Sequence, residues 1–187
     1  MDNEKKNLIV EYALANKENL LLFSQIAKAF DDVIEKLVKS FSEELENELT
    51  LILGNDWIIH NDIKNDVFGK TGFSISKKKW NEFYSIGFYA ENRGLRNFDF
   101  YVWRDIDIIK SPNKLINQLI NENYKKGNVY KKGDWWQYID EPYRNWTDEK
   151  AIIKLYEQSE MVKYFKEQFL KLKDIVEPII DKELSKN

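Results

Sequence analysis

Two stretches decide the fold: Tyr84-Ser85-Ile86-Gly87-Phe88 within 82–90, and Phe98-Asp99-Phe100-Tyr101-Val102-Trp103 within 98–106. Both alternate in polarity and are rich in aromatic and β-branched residues, the pattern of half-buried strands. Between them, Glu91 to Asn97 contains Gly94 and reads as a hairpin loop. In the second run Phe98, Phe100 and Val102 share one face, and Asp99, Tyr101, Trp103 and Asp105 share the other. Gly87, inside a strand, marks a bulge or the close approach of a neighbouring ring.

Working outward, Trp57 to His60 and Gly72 to Ser76 read as two earlier strands, and Trp135, Trp136 and Tyr138 as a last short one. Lys125 to Gly133 is a basic loop. All six tryptophans and all seven glycines fall between Gly54 and Trp146. The flanks instead carry helical periods. Phe23, Ala27, Phe30, Ile34, Leu37, Phe41 and Leu45 form one seam, widened by Ile26, Val33, Val38 and Leu49. Val162, Phe165, Phe169, Leu172, Val176 and Ile179 form the other. The two seams are expected to pack on each other; pairing between chains is the rival.

Shorter helices are expected at Leu8 to Ala15, with Asn16 or Asn19 as break and cap, after Ser111-Pro112, and after Thr147. Ser159 is the expected cap of the last helix, and Pro178 is expected to kink or end it near Glu177. The fold class is thus α+β: an antiparallel sheet of about four or five strands packed against N- and C-terminal helices. One domain is expected over 1–187, with a helical arm at 1–50, a β-rich centre with one helix at 51–146, and a helical arm at 147–187.

Composition narrows the chemistry. There is no cysteine, which removes disulfides, thiolate catalysis and cysteine-ligated metals. The net charge of −3 is unevenly spread: six basic against eleven acidic residues through Leu49, fifteen against twelve from Thr50 to Trp146, and eight against nine thereafter. A surplus that small gives no strong nucleic-acid field. No signal peptide is visible and no apolar run approaches the roughly 20 residues of a membrane span, so a soluble, cytoplasmic chain is expected. The abundance of Lys, Asn and Ile points to an AT-rich bacterial or phage genome.

His60 is the only histidine. A single histidine is expected to leave a Ser–His–Asp triad or a two-histidine metal site impossible or nearly so, and His60 reads as a surface or hydrogen-bonded strand-edge histidine. Asp62-Ile63-Lys64 has the acid–x–lysine form of a metal-dependent nuclease strand, with Asp56 the nearest upstream acid. Cations beside rings are the more substantial feature. Lys77, Lys78, Lys79 and Trp80, with Arg93, Arg96, Lys131, Lys132, Trp135 and Trp136, flank strands or loops. With Tyr101 and Trp103, they form the candidate surface for a partner or nucleic acid.

Three stretches also carry a resemblance: Tyr84 to Phe88 with the hairpin to Phe98–Trp103, Trp135-Trp136 followed by Tyr143-Arg144-Asn145-Trp146, and Glu160 to Phe165. Together they resemble the C-terminal accessory module of bacterial and phage proteins assigned to the PD-(D/E)XK nuclease superfamily. The nuclease-like half has no counterpart before Gly54. The resemblance therefore implies a free-standing accessory module, and no catalytic residue carries over. Asn145, Trp146 and Thr147 match the module's helix start. A non-enzymatic recognition protein without cofactor or bound metal is expected. A protein partner is expected, as for a phage or prophage inhibitor of a host defence complex or an accessory partner of a nuclease. Nucleic-acid binding through the basic and aromatic loops, a divalent-metal-dependent phosphodiesterase using Asp56, Asp62 and Lys64, and a homodimer through the helical arms are the alternatives.

Overall fold

The computed structural model describes residues 3–92, 94–129 and 133–185. Arg93, Lys131 and Lys132 lie outside the described residues. The element order is α1 (Asn3–Leu14), α2 (Lys17–Leu53), β1 (Trp57–Asn61), β2 (Gly72–Lys77), β3 (Tyr84–Asn92), β4 (Arg96–Arg104), α3 (Lys114–Asn123), β5 (Gly133–Tyr138), α4 (Glu149–Tyr156) and α5 (Ser159–Leu184). The chain divides into two compact units, one through Lys36 and one from Leu37. The helical arm expected over 1–50 runs on to Leu53, and the division between units falls inside α2. The second half of α2 buries Val38, Phe41, Leu45 and Leu49 and belongs to the larger unit.

In the larger unit the five strands form one antiparallel sheet in sequence order. Alternation sets its faces. Phe73 and Ile75, Ile86 and Phe88, and Phe98, Phe100 and Val102 are buried against the helices. Phe88 sits at the centre. Its ring centroid lies 4.7 Å from Phe165 and 5.9 Å from Phe169 on α5, 5.8 Å from Phe73 and Phe98, and 5.9 Å from Phe100 and Trp146. Phe41 of α2 meets Phe165 at 5.3 Å and Trp146 at 5.2 Å. The expected packing of the two seams therefore holds for the α2 residues from Leu37 on, reinforced by Lys166 to Glu48 at 2.7 Å.

A second, polar layer ties the end of α5 to the sheet. Lys77 pairs with Glu177 and Asp181, and Lys79 with Asp181 at 2.6 Å. Trp80 Nε1 donates to Asp181 Oδ1 at 2.8 Å. Burial pushes the Asp181 carboxyl up, but hydrogen bonds from Lys79, Trp80 and Lys77 outweigh it and hold it below its ordinary value. Nearby, Arg104 Nε donates to Asp134 Oδ1 at 3.2 Å, and Asn113 N donates to the same oxygen at 2.9 Å. Tyr84 Oη bonds Glu183 at 3.2 Å. Burial raises the Asp134 carboxyl to about 6 against the pull of Arg104.

Several boundaries depart from expectation for local reasons. β3 starts at Tyr84, not Glu82, because Asn81 and Glu82 are left-handed (φ 49° and 62°) and turn the chain. β4 stops at Arg104, where Asp105 Oδ1 accepts from Asp107 N at 2.8 Å and begins a turn. Asn113, rather than Ser111-Pro112, caps α3, accepting from Leu115 N at 3.0 Å. Thr147 does not cap α4, whose N-cap is Asp148; its hydroxyl accepts from Arg96 Nε at 3.2 Å. Gln158 is the N-cap of α5, and Ser159 its first residue. Pro178 does not end α5, which runs on to Leu184. The proline lies on the exposed side, with buried Val176 and Ile180 anchoring the helix across it.

The smaller unit comprises α1 and the first half of α2. Asn16 Oδ1 accepts from Asn19 N at 2.8 Å, the cap expected from sequence. Its buried apolar residues are Ala13 and Ile34. Phe23, Ile26, Phe30 and Val33, expected in the seam, are exposed.

Phe88→Ala should cost about 3–5 kcal/mol in urea denaturation, whereas exposed Tyr156→Ala should stay within about 0.5 kcal/mol. For Asp134 the folded carboxyl titrates above its unfolded value, so its contribution is complete below about pH 4 and is lost as pH rises through about 6. The unfolding free energy of wild type minus that of Asp134→Asn should therefore fall by roughly 2–3 kcal/mol between pH 4 and 7. A pH-independent difference would place that carboxyl in the ordinary range.

Candidate recognition surface

The alternation that buries the phenylalanines sends another set of side chains to the opposite face. Register gathers them. His60 of β1 pairs with Ser74 of β2, Ser74 with Gly87 of β3, Gly87 with Tyr101 of β4, and Tyr101 with Trp136 of β5. This row crosses the whole sheet. The neighbouring row pairs Ser85 with Trp103, and the row on the other side pairs Tyr89 with Asp99 and Asp99 with Tyr138. Tyr89, Tyr101, Trp103, Trp136 and Tyr138 are all half-buried. The described contacts bring α3, α4 and α5 together on the Phe88 side.

Tyr101 explains Gly87. A Cβ built there would lie 2.5 Å from Tyr101 Oη and 2.7 Å from the Phe73 carbonyl oxygen. The ring thus lies across the glycine, and its hydroxyl reaches Ser74 and Ser85. Burial of that hydroxyl pushes the phenol up to about 12; bonds from the serines oppose the rise and the Asp99 carboxylate adds to it. At the other edge Trp136 and Tyr138 meet edge-to-face at 5.2 Å. The Arg144 guanidinium lies 3.9 Å from the Tyr138 ring centroid.

Beside Trp103 the face opens into a cleft of about 310 Å³. His60, Ser74, Ser76 and Ser85 line it together with Glu82 and Asp105. A Ser–His–Asp triad needs only one histidine, so the solitary His60 does not by itself exclude one, and the fold brings the residue types together. The serines point to other work, however. Ser76 Oγ donates to the Tyr84 carbonyl at 2.8 Å, and Ser74 and Ser85 bond the Tyr101 hydroxyl. A general base acts on a hydroxyl within hydrogen-bond reach, and these hydroxyl bonds run elsewhere.

The residues proposed from sequence divide sharply. Tyr101, Trp103 and Trp136 are brought onto one face. Trp80 and Trp135 are fully buried, so they offer no surface; Trp80 packs on Trp57 at 5.2 Å and Trp135 on Tyr124 at 5.5 Å. Lys77 and Lys79 are tied to α5, Arg96 to Thr147, and Lys78 is exposed. Asp62 and Lys64 lie in a short 3-10 turn after β1 rather than in the strand expected of a nuclease motif. Lys64 Nζ lies 2.7 Å from Glu46 Oε2 on α2, whereas the Asp62 carboxylate raises the phenol of Tyr101 on the outer face. Among the described residues no group of three or more His, Asp or Glu is placed to hold a metal ion.

No family model, curated protein or solved structure matches the chain. The resemblance to a nuclease accessory module is carried by its three sequence stretches alone. Gly87→Ala should lower stability by about 1–3 kcal/mol. It should also move the Tyr101 phenol from about 12 back toward 10, read by ring-carbon NMR of labelled tyrosine. An unmoved titration would mean that Tyr101 does not depend on the glycine for its place.

Proposed function

We propose that this chain is a recognition protein that binds another protein through the outer face of its sheet. One observation carries the proposal: Tyr101, Trp103 and Trp136 stand half-buried on adjacent strands, on the face opposite the Phe88 core. Trp and Tyr dominate binding hot spots because each offers a large, stiff apolar area with a polar handle. Sheet register already fixes their backbones, which lowers the ordering cost of binding.

The cleft beside Trp103 refines the kind of partner. Two carboxylates, Glu82 and Asp105, border an indole there. That combination suits a lysine or arginine side chain projecting from the partner, held by charge and by the ring face. The same carboxylates oppose a phosphate backbone. Of the lysines that sequence alone offered to nucleic acid, Lys77 and Lys79 are engaged with Glu177 and Asp181, and Lys78 is exposed. An inhibitor of a host defence complex, or an accessory partner of a nuclease, is the type of role such a docking surface would serve.

The test is affinity capture from host or infected cells, with wild type compared against Trp103→Ala and Trp136→Ala. Each substitution should weaken the captured complex at least about tenfold, in line with hot-spot truncation, while Lys78→Ala leaves it intact. Equal capture by all four proteins would remove the outer face from the interface. Binding to labelled DNA or RNA that falls steeply with salt and requires Lys78 would instead favour nucleic acid.

A further inference from the structure

The smaller unit carries an anomaly that the sheet surface does not explain. Between Leu8 and Val33, five large apolar side chains of α1 and seven of α2 are exposed, at 43–69%. Monomeric surfaces rarely expose so many large apolar side chains over so short a segment. On α2 the face is wide as well as long. Leu20, Phe23, Ala27 and Phe30 step by three, four and three, and Ile26 and Val33 extend the face sideways. A strict coiled-coil seam is narrower and is covered by one helix; a stripe this wide needs more than one.

We infer that residues 3–36 form a self-association arm, and that its occupant is the arm of a second copy of this chain. Area supports this. Twelve half-exposed side chains, each offering on the order of 80 Å², present on the order of 1,000 Å² per copy, against about 800 Å² per partner in a standard stable interface. A second copy also supplies what the wide stripe requires, because it brings both α1 and α2. Charge agrees. Residues 3–36 hold six acids (Glu4, Glu11, Glu18, Asp31, Asp32, Glu35) and five lysines, a net charge of only −1, so two arms meet with little repulsion. An arm adapted to an anionic membrane surface or to nucleic acid would be basic. Ala27 and Ser24 keep the middle of the α2 stripe low, which allows a close helix approach. Two-fold pairing of identical patches is the commonest closed arrangement.

The experiment is sedimentation of the full chain from about 1 to 100 µM, a range that brackets ordinary dimer affinities. Wild type should show a concentration-dependent dimer. Phe23→Lys with Phe30→Lys should raise the dissociation constant at least about 100-fold, the loss of two interface anchors. Both residues are exposed, and all six tryptophans lie in the larger unit, so unchanged tryptophan fluorescence would show that the larger unit of the variant is folded. Trp103→Ala should leave the dimer intact, which separates this inference from the proposed partner site. A wild-type monomer at 100 µM would overturn the inference. So would a dimer that survives the paired lysine substitutions, or a monomer that instead sediments with phosphatidylcholine vesicles.

Discussion

The contact on which the larger unit depends is the seating of Phe88 among the aromatic rings of its own sheet and of α5. Six rings lie with centroids within 5.9 Å of it, drawn from β2, β4, α5 and the segment before α4. Side-chain period in a strand is two, so fixing Phe88 inward fixes Gly87 and Tyr89 outward. A slip of one residue would exchange the faces and expose the phenylalanines. The core therefore does more than stabilise. It dictates which rings are left for the outer surface and in which rows they stand.

Charge is spent in the same service. Lys77 and Lys79 could have formed a phosphate-binding track with Trp80 had they faced solvent together. Instead the turn after β2 meets the last two turns of α5, where Glu177 and Asp181 wait, and Trp80 adds its indole N–H to Asp181. Arg104 and Asp134 do similar work between β4 and β5, holding Asn113 at the start of α3. A buried pair of that kind gives little net stability, because desolvation offsets attraction. Its value lies in position: it anchors the 105–113 segment, which contributes Asp105 to the cleft.

Much of this layout was legible in the sequence because period is local. Phe98, Phe100 and Val102 on one face, with Tyr101 and Trp103 on the other, follow from alternation alone. Gly87 signalled the near ring that Tyr101 supplies. What alternation cannot show is register, and the site is made by register. His60, Ser74, Ser85 and Trp103 come from four strands, and no spacing along the chain links them. Burial was also hidden where a turn or a bulge intervened. Trp80 sits in a tight turn whose indole swings inward, and Trp135 follows an irregularity in β4–β5 pairing between Val102 and Trp103. In α2 a single seam continued in sequence where burial did not. A helix period reports that a face is apolar, not what covers it.

The two populations of rings carry the last step. Phenylalanine fills the inward positions 73, 88, 98 and 100, joined by Trp57, Tyr84 and Trp135, whereas the outward ring positions 89, 101, 103, 136 and 138 are all tyrosine or tryptophan. Solubility alone would have placed lysine, glutamate or threonine on an uncovered sheet face. Rings with a polar edge suit a surface that must tolerate water before it meets a partner. Tyr101 shows how such a surface is kept rigid: the ring is half-buried and its hydroxyl is tucked beneath the surface. Its hydroxyl is held by Ser74 and Ser85, and the missing Cβ at Gly87 gives the ring its bed. A ring fixed in that way has little rotamer freedom left to lose on contact. The outer face is thus pre-arranged by the same alternation that builds the core behind it.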